Sequence, residues 1–366
     1  MSTKKILMTG NEAMAEGAIQ AGCRFYAGYP ITPQNEFTSY MAKRMPEVNG
    51  IFIQAESELA AINMVFGASA AGARAMTSSS SPGISLKQEG ISYIAGAELP
   101  AVIVNVMRGG PGLGNIWPAQ SDYFQATRPG HGDYHSIVLA PYSVQEAHEF
   151  MFLGFDLADK YRTPAIVLSD GMLGQMMEPL LVRSRELGVG REKLQTPNSL
   201  PVRQAGKLQT KSWALTGCKG REPNIVKSFY MLEGDLEKFN LTLQKKYKAI
   251  CQKEQRYEGL FLDDAKIILV AYGTMARIAK SALHSLRKKG KKIGLIRPIT
   301  LWPFPQKPFT QYSMPHTRYL VIEMSYGQML EDVRLAVNGK SPIEFLGRSG
   351  GGIPAEEEII DFVNRQ

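Results

Sequence analysis

The sequence predicts an α/β protein: a doubly wound, mostly parallel sheet followed by a second, smaller α/β domain. Three observations predict it. Short strand candidates alternate with helical stretches over residues 1–180, and the alternation resumes at Ala265. The strand candidates are apolar runs rather than alternating ones, as a sheet covered on both faces requires, and Val102–Met107 is strongly apolar and β-branched. The length, 366 residues, suits two or three domains.

In order along the chain, Lys5–Met8 reads as a strand, and Asn11 as the cap of a helix over Glu12–Ala21. Phe25–Tyr29 is the next strand. Thr32 then reads as a helix cap with Pro33 at the first helical position. Ile51–Gln54 is a strand and Glu58–Ala71 a helix rich in small residues. Ala75–Ser78 is a strand before a helix started by Pro82. Val102–Met107, Ile137–Ala140 and Ala165–Ser169 complete the first set, with a helix over Val144–Tyr161. Residues 181–262 read as a basic linker. It ends in a packing helix whose stripe is Leu236, Phe239, Leu243, Tyr247 and Ile250. The second domain, 263–366, offers strands at Ile267–Ala271, Lys292–Ile296 and Tyr319–Glu323, and helices over Ile278–Lys289 and Gln328–Asn338.

Composition narrows the function classes. Hydrophobic residues make up 44% and charged residues 21%, an ordinary globular balance. Cys23, Cys218 and Cys251 lie far apart and form no CxxC pair, so no local iron–sulfur or zinc motif is encoded. The apolar run after the N-terminal lysines is too short for a signal peptide, and no window holds the ~18 apolar residues of a membrane helix. A cytoplasmic protein that meets no membrane is expected. The net charge of +8 is concentrated between Arg183 and Lys227, where ten Lys and Arg face three Asp and Glu. That stretch reads as a solvated connection or a surface for an acidic partner rather than for nucleic acid.

Ligands of open parallel sheets bind outside the carboxyl ends of the strands. Four strands here end in Pro30-Ile31-Thr32-Pro33, Ala55-Glu56-Ser57-Glu58, Ser79-Ser80-Ser81-Pro82-Gly83 and Arg108-Gly109-Gly110. Hydroxyls, carboxylates and an arginine therefore converge on one edge. Arg108 can hold a carboxylate bidentately, with Thr32 beside it. A shielded glutamate can hydrogen-bond a heterocyclic nitrogen. No Ser or Cys has a recognisable His partner, and neither GxGxxG after the first strand nor GxxxxGK[ST] occurs. The glycine-rich Gly109–Gly114 reads as a mobile loop rather than a phosphate cradle.

These motifs, with Gly67–Ala73, Val104–Arg108, Pro118-Ala119-Gln120-Ser121-Asp122, Ala271–Thr274, Arg297–Pro305 and Gly327-Gln328-Met329, resemble the alpha subunit of 2-oxoacid:ferredoxin oxidoreductases. The likeness is strongest to the 2-oxoisovalerate (branched-chain) type with separate subunits. It implies a thiamine diphosphate pyrimidine-binding domain and a transketolase C-terminal-like domain. It also implies oxidative decarboxylation of a 2-oxoacid with coenzyme A to acyl-CoA, CO₂ and reduced ferredoxin. By the same resemblance, Glu58 is the catalytic glutamate that contacts N1′ of the aminopyrimidine and favours its imino tautomer. Glu56 is a rival, but the spacing back from Gly67 favours Glu58. Thr32 and Arg108 would hold the substrate carboxylate, and Tyr29 and Pro30 would shape the pocket. Ile31, Ser79, Ser80 and Ser81 would line the cofactor edge. His131 and His135 read as structural histidines near the site.

The sequence contains no Gly-Asp-Gly and no cluster cysteines. The resemblance therefore implies that Mg²⁺ with the diphosphate grip, and the [4Fe-4S] clusters, come from other chains. Those are a beta subunit, a gamma subunit and a small ferredoxin-like subunit, with ferredoxin as acceptor, in a dimer of heteromers. The gamma-type domain is expected not to be fused here. Two alternatives stand beside this reading. One is the same chemistry on 2-oxoglutarate, pyruvate or an aryl-2-oxoacid. The other is a non-catalytic assembly subunit, which would predict damage to Glu58, Thr32 or Arg108.

Overall fold

The structure, a computed structural model, describes residues 5–181 and 211–365. Residues 9–12 show how local sequence sets the elements. The first helix, Gly10–Gln20, is closed by a capping box: the Glu12 amide donates to Thr9 Oγ1 at 3.2 Å, and the Thr9 amide donates to Glu12 Oε2 at 3.1 Å. Thr9, not Asn11, is therefore the cap. Asn11 lies inside the helix, buried, and its Nδ2 donates to the Pro33 carbonyl at 2.8 Å. Ser57 and Ser143 cap the helices Glu58–Ala70 and Val144–Tyr161 in the usual way, through hydroxyls that accept from the amides of Ala60 and Glu146.

The main sheet has seven strands in the order Thr300–Trp302, Ile137–Leu139, Pro164–Asp170, Ala101–Met107, Ala75–Ser79, Phe25–Gly28, Ile51–Gln54. All pairings are parallel except that of Thr300–Trp302 with Ile137–Leu139. The predicted strand at the N-terminus does form, as Lys5–Thr9. It leaves the main sheet and pairs antiparallel with Met177–Leu181 instead. The sheet is covered on both faces. Val102, Val104 and Val106 point into one layer with Met14, Phe37, Met41 and Phe155. Ile103 points into the other with Ile62, Val65, Ile91 and Ile94. This is why the central strand is apolar but for Asn105.

Strand order reverses between Phe25–Gly28 and Ala75–Ser79. The first continues outward to Ile51–Gln54, and the second inward to Ala101–Met107. Such a reversal opens a crevice at the carboxyl edge, the expected ligand position of the fold.

The second sheet has five strands: Ile343–Gly347, Arg318–Glu323, Ile267–Val270, Ile293–Pro298 and Tyr257–Leu260. The last is antiparallel and lies in the stretch that reads as linker from sequence. Its helix Gly273–Lys288 begins five residues before the expected start, because Gly273-Thr274 belongs to the first turn rather than to a loop. The packing helix is present as Asp235–Lys253, with Leu243, Tyr247 and Ile250 buried; Leu236 stays exposed. Of the basic stretch, Arg183–Thr210 lies outside the described residues. Lys211 within it is ion-paired to Asp159 at 2.7 Å.

The two domains are joined through the motifs singled out in the sequence. Gln120 spans the joint: its amide nitrogen Nε2 donates to the Tyr272 carbonyl at 2.9 Å, and its Oε1 accepts from the Met324 amide at 3.0 Å. Gln328 donates to the Ser121 carbonyl at 2.7 Å. Arg297 is buried and holds Glu146 of the first domain through two bonds, at 2.8 and 2.9 Å, and Glu258 through a third. Fixed fork geometry suits arginine to this role. The strand Thr300–Trp302 completes the joint by extending the first domain's sheet.

Candidate active site

Glu58 is the first residue of its helix and is buried, whereas Glu56, two residues earlier, is exposed. The helix starts between them, with Ser57 as its cap, and Glu58 lies against Gly83 while Glu56 faces solvent. Helix Pro82–Gly96 starts directly opposite. Gly83 sits against Glu58: a Cβ there would lie 2.6 Å from Glu58 Oε1 and closer still to Ser79 Oγ. The missing side chain thus leaves room for the carboxylate, which a bulkier residue would displace.

The three serines part company. Ser79 Oγ and Ser80 Oγ are buried with no hydrogen-bond partner. Buried hydroxyls without partners are costly and point to a ligand that completes them. Ser81 does not belong with them. Its hydroxyl donates to Asp122 Oδ2 at 2.6 Å and accepts from the Arg108 amide at 3.0 Å. Its backbone holds φ 29°, a left-handed position for a residue with a Cβ. The Ser81 amide is held by Asn105 Oδ1 at 3.1 Å, and Asn105 Nδ2 donates to the same Asp122 oxygen at 2.9 Å. Burial pushes the Asp122 carboxyl up, while Ser81, Asn105 and then Arg108 pull it back. The Ser81 hydroxyl is therefore taken up in a brace with Asp122, Asn105 and Arg108.

Thr32 does not cap the helix that follows. That helix is Asn35–Arg44, and the Thr32–Pro33 peptide is cis. The Thr32 carbonyl instead accepts from Arg108 Nη1 at 2.8 Å. Arg108 Nη2 donates to the Leu113 carbonyl at 3.2 Å, and Nε is buried without a partner. Arg108 thus ties the turn Pro30–Pro33 to the glycine-rich loop. That loop is closed rather than free: the Gly109 amide donates to the Trp117 carbonyl and the Asn115 amide to the Gly109 carbonyl. Asn115 also donates to Gly350 of the second domain at 2.9 Å. Leu113, Ile116 and Trp117 stand exposed at its tip, and Tyr29 and Pro30 are exposed across from it, with Ile31 half-buried.

The turn itself is fixed from below by residues to which sequence reading assigned no role. Gln34 Oε1 accepts from Ser78 Oγ at 2.6 Å and Thr38 Oγ1 at 3.2 Å, and Tyr26 Oη bonds Ser78 Oγ at 2.8 Å. His131 and His135 stand outside this set. His131 is exposed and paired with Ser92. His135 is stacked on Trp302 at the domain joint with centroids 4.4 Å apart, and burial pushes it down towards the neutral form. A groove of about 700 Å³ opens between loop 128–135 and helix Asp235–Lys253, but none of the edge residues lines it. Cys23 is buried, which pushes its thiol up to about 12 and makes it an inert core residue. Among the described residues no group of His, Cys, Asp and Glu is arranged to hold a metal ion, and no helix is long and apolar enough to cross a membrane.

The switch-point crevice thus holds a buried helix-start glutamate beside the partnerless Ser79 hydroxyl. Residues 16–216 match the family described as pyruvate flavodoxin/ferredoxin oxidoreductase, thiamine diphosphate-binding, and residues 265–359 match pyruvate:ferredoxin oxidoreductase core domain II. The chain is 48% identical over 97% of its length to the ketoisovalerate oxidoreductase subunit VorB of Methanothermobacter marburgensis, covering 96% of that protein. It is 36% identical to the 2-oxoglutarate synthase subunit KorA of the same organism, over 99% of each chain. A solved 2-oxoglutarate:ferredoxin oxidoreductase from Magnetococcus marinus superposes with a TM-score of 0.83 at 29% identity, over 99% of this chain and 65% of that one. A split-gene transketolase, at a TM-score of 0.58 and 12% identity over 98% of this chain and 97% of that one, shares the fold.

The chain belongs to the pyruvate flavodoxin/ferredoxin oxidoreductase family, whose members act on 2-oxoacids. It is one subunit of such an oxidoreductase, it carries the thiamine diphosphate-binding domain, and partner chains complete it.

Proposed function

We propose that this chain supplies the aminopyrimidine half of a site that oxidatively decarboxylates a branched-chain 2-oxoacid such as 2-oxoisovalerate. The products are the acyl-CoA, CO₂ and reduced ferredoxin. The observation that carries the reading is the buried Glu58 carboxylate set against Gly83 and the partnerless Ser79 hydroxyl, at the carboxyl edge of a thiamine-binding domain. These residues fit the polar edge of an aminopyrimidine, which can satisfy both groups. Bound thiamine diphosphate supplies the carbanion and the electron sink of the reaction.

Glu58 accepts the hydrogen bond from pyrimidine N1′ and so holds a proton there. Ser79 and Ser80 complete the ring's polar edge. Arg108 holds the 2-oxoacid carboxylate, exchanging the neutral Leu113 carbonyl for an ionised acceptor whose planar geometry matches the guanidinium. Thr32 stands beside it, and Tyr29, Pro30 and Ile31 wall the pocket. The diphosphate, its Mg²⁺ and the [4Fe-4S] clusters are held by a beta subunit, a gamma subunit and a small ferredoxin-like subunit, in a cytoplasmic dimer of heteromers. The branched-chain preference is supported by the 48% identity to a ketoisovalerate oxidoreductase subunit against 36% to a 2-oxoglutarate synthase subunit.

The test is viologen reduction by the co-purified enzyme with thiamine diphosphate and coenzyme A across a panel of 2-oxoacids. The highest kcat/KM is expected for 2-oxoisovalerate and its branched relatives. A preference for 2-oxoglutarate, pyruvate or an aryl acid would contradict the substrate. No turnover of any 2-oxoacid by the intact, cofactor-loaded enzyme would contradict the activity and favour an assembly role.

A further inference from the structure

Lys87 is fully buried, one turn beyond Gly83 on helix Pro82–Gly96. Lysine almost never sits fully inside a protein without a partner. The face Gly83–Lys87–Gly90 lies directly on helix Glu58–Ala70. Gly90 allows the close approach, since a Cβ there would lie 2.8 Å from Ile62 Cγ1 and nearer still to its Cγ2. Long helical side chains lean towards the N-terminus of their helix. Lys87 therefore leans back towards the crevice, and its Nζ donates to the Glu58 carbonyl at 3.4 Å. Of the charged groups on the elements packed around it, Glu58 is the one whose field reaches it. Burial pushes the Lys87 ammonium down to about 8, and the Glu58 carboxylate pulls it back. The geometry thus pairs one cation with the residue that carries the site.

We propose that Lys87 is a positioning residue for Glu58. Its donor holds the backbone carbonyl of the helix's first residue, and it places a buried positive charge beside that residue. The inference rests on the reading of Glu58 as the group that meets the aminopyrimidine. The bond to the carbonyl sets where the side chain starts. The charge sets how readily the carboxylate gives its electrons to a proton at N1′, because an opposite charge favours the ionised form. Lys87 touches neither substrate nor cofactor.

The experiment compares Lys87→Met, which removes donor and charge, with Lys87→Gln, which keeps a donor and removes only the charge, in the assembled enzyme. Two properties are read against pH: kcat/KM for the 2-oxoacid, and the near-ultraviolet circular dichroism of bound thiamine diphosphate. Without the buried cation beside the site, the acid limb of the rate profile and the dichroic transition are both expected to move to higher pH in both variants. If Lys87→Met does not assemble, Lys87→Gln alone gives the result. Unmoved profiles in a folded variant, with only thermal stability reduced, would overturn the proposal and leave Lys87 as packing. Glu58→Gln is run in parallel. Full turnover in that variant would overturn the reading of Glu58 itself, which is a different failure from an unmoved Lys87 profile.

Discussion

Glu58→Gln is expected to lower kcat of the assembled enzyme by roughly 10²-fold or more, the range in which a positioned proton-transfer group contributes. The amide keeps the shape of the carboxylate and its place against Gly83. It cannot carry the negative charge that the proposed role at pyrimidine N1′ requires. The defect belongs to the chemical step, so kcat and kcat/KM fall together while KM for the 2-oxoacid changes little. Steady-state viologen reduction separates these. A rise in KM at unchanged kcat would move Glu58 from the chemistry to ground-state binding.

Gly83→Ala is expected to be nearly as damaging, although it adds only a methyl group. The new Cβ would lie 2.6 Å from Glu58 Oε1 and closer still to Ser79 Oγ, nearer than real Cβ contacts come, and at a tight 3.1 Å from Glu58 Cγ. Helix Pro82–Gly96 cannot retreat easily, because Lys87, Gly90 and Ile91 lock it onto the neighbouring helix. The carboxylate must therefore move. A displacement of about 1 Å at a reacting centre can cost about 10²-fold in rate. Overpacking of this kind also costs about 1–3 kcal/mol of stability. The expected pattern is a large loss of kcat, a weaker Kd for thiamine diphosphate and a modestly lower Tm. Wild-type turnover in Gly83→Ala would show that the Glu58 carboxylate points elsewhere in the working enzyme.

Much of this arrangement could be read from the residues, and the failures have physical causes. The apolar strands and their order of helices were legible because a doubly covered sheet leaves no alternation to confuse with anything else. Strand Ala101–Met107 carries a further signal in Asn105, a polar residue in a run otherwise apolar and wholly buried, which marks the brace to Ser81 and Asp122. The role of Lys87 was legible in principle too, since it shares a helical face with Gly83. Burial that depends on a second helix could not be read from spacing alone.

Caps were misplaced where two candidates compete. Thr9 and Asn11 both suit an N-terminus, and the reciprocal bond with Glu12 decides for Thr9. Thr32-Pro33 looks like a helix start by composition, yet the Thr32 carbonyl is taken by Arg108, from a strand end far along the chain. The hydroxyl of Ser81 is taken likewise by Asp122. Long-range partners of this sort leave no periodic trace. The same holds for Thr300–Trp302, whose pairing partner lies in the other domain.

The most direct test of the central claim, that this chain holds the pyrimidine half of a shared site, is a calorimetric titration of thiamine diphosphate with and without Mg²⁺. It is made once with this chain alone and once with the assembled enzyme. The account predicts weak binding to the chain alone, indifferent to Mg²⁺, and tight, Mg²⁺-dependent binding to the assembly. Tight, Mg²⁺-dependent binding to this chain by itself would contradict it, because the diphosphate grip would then have to lie among its own residues.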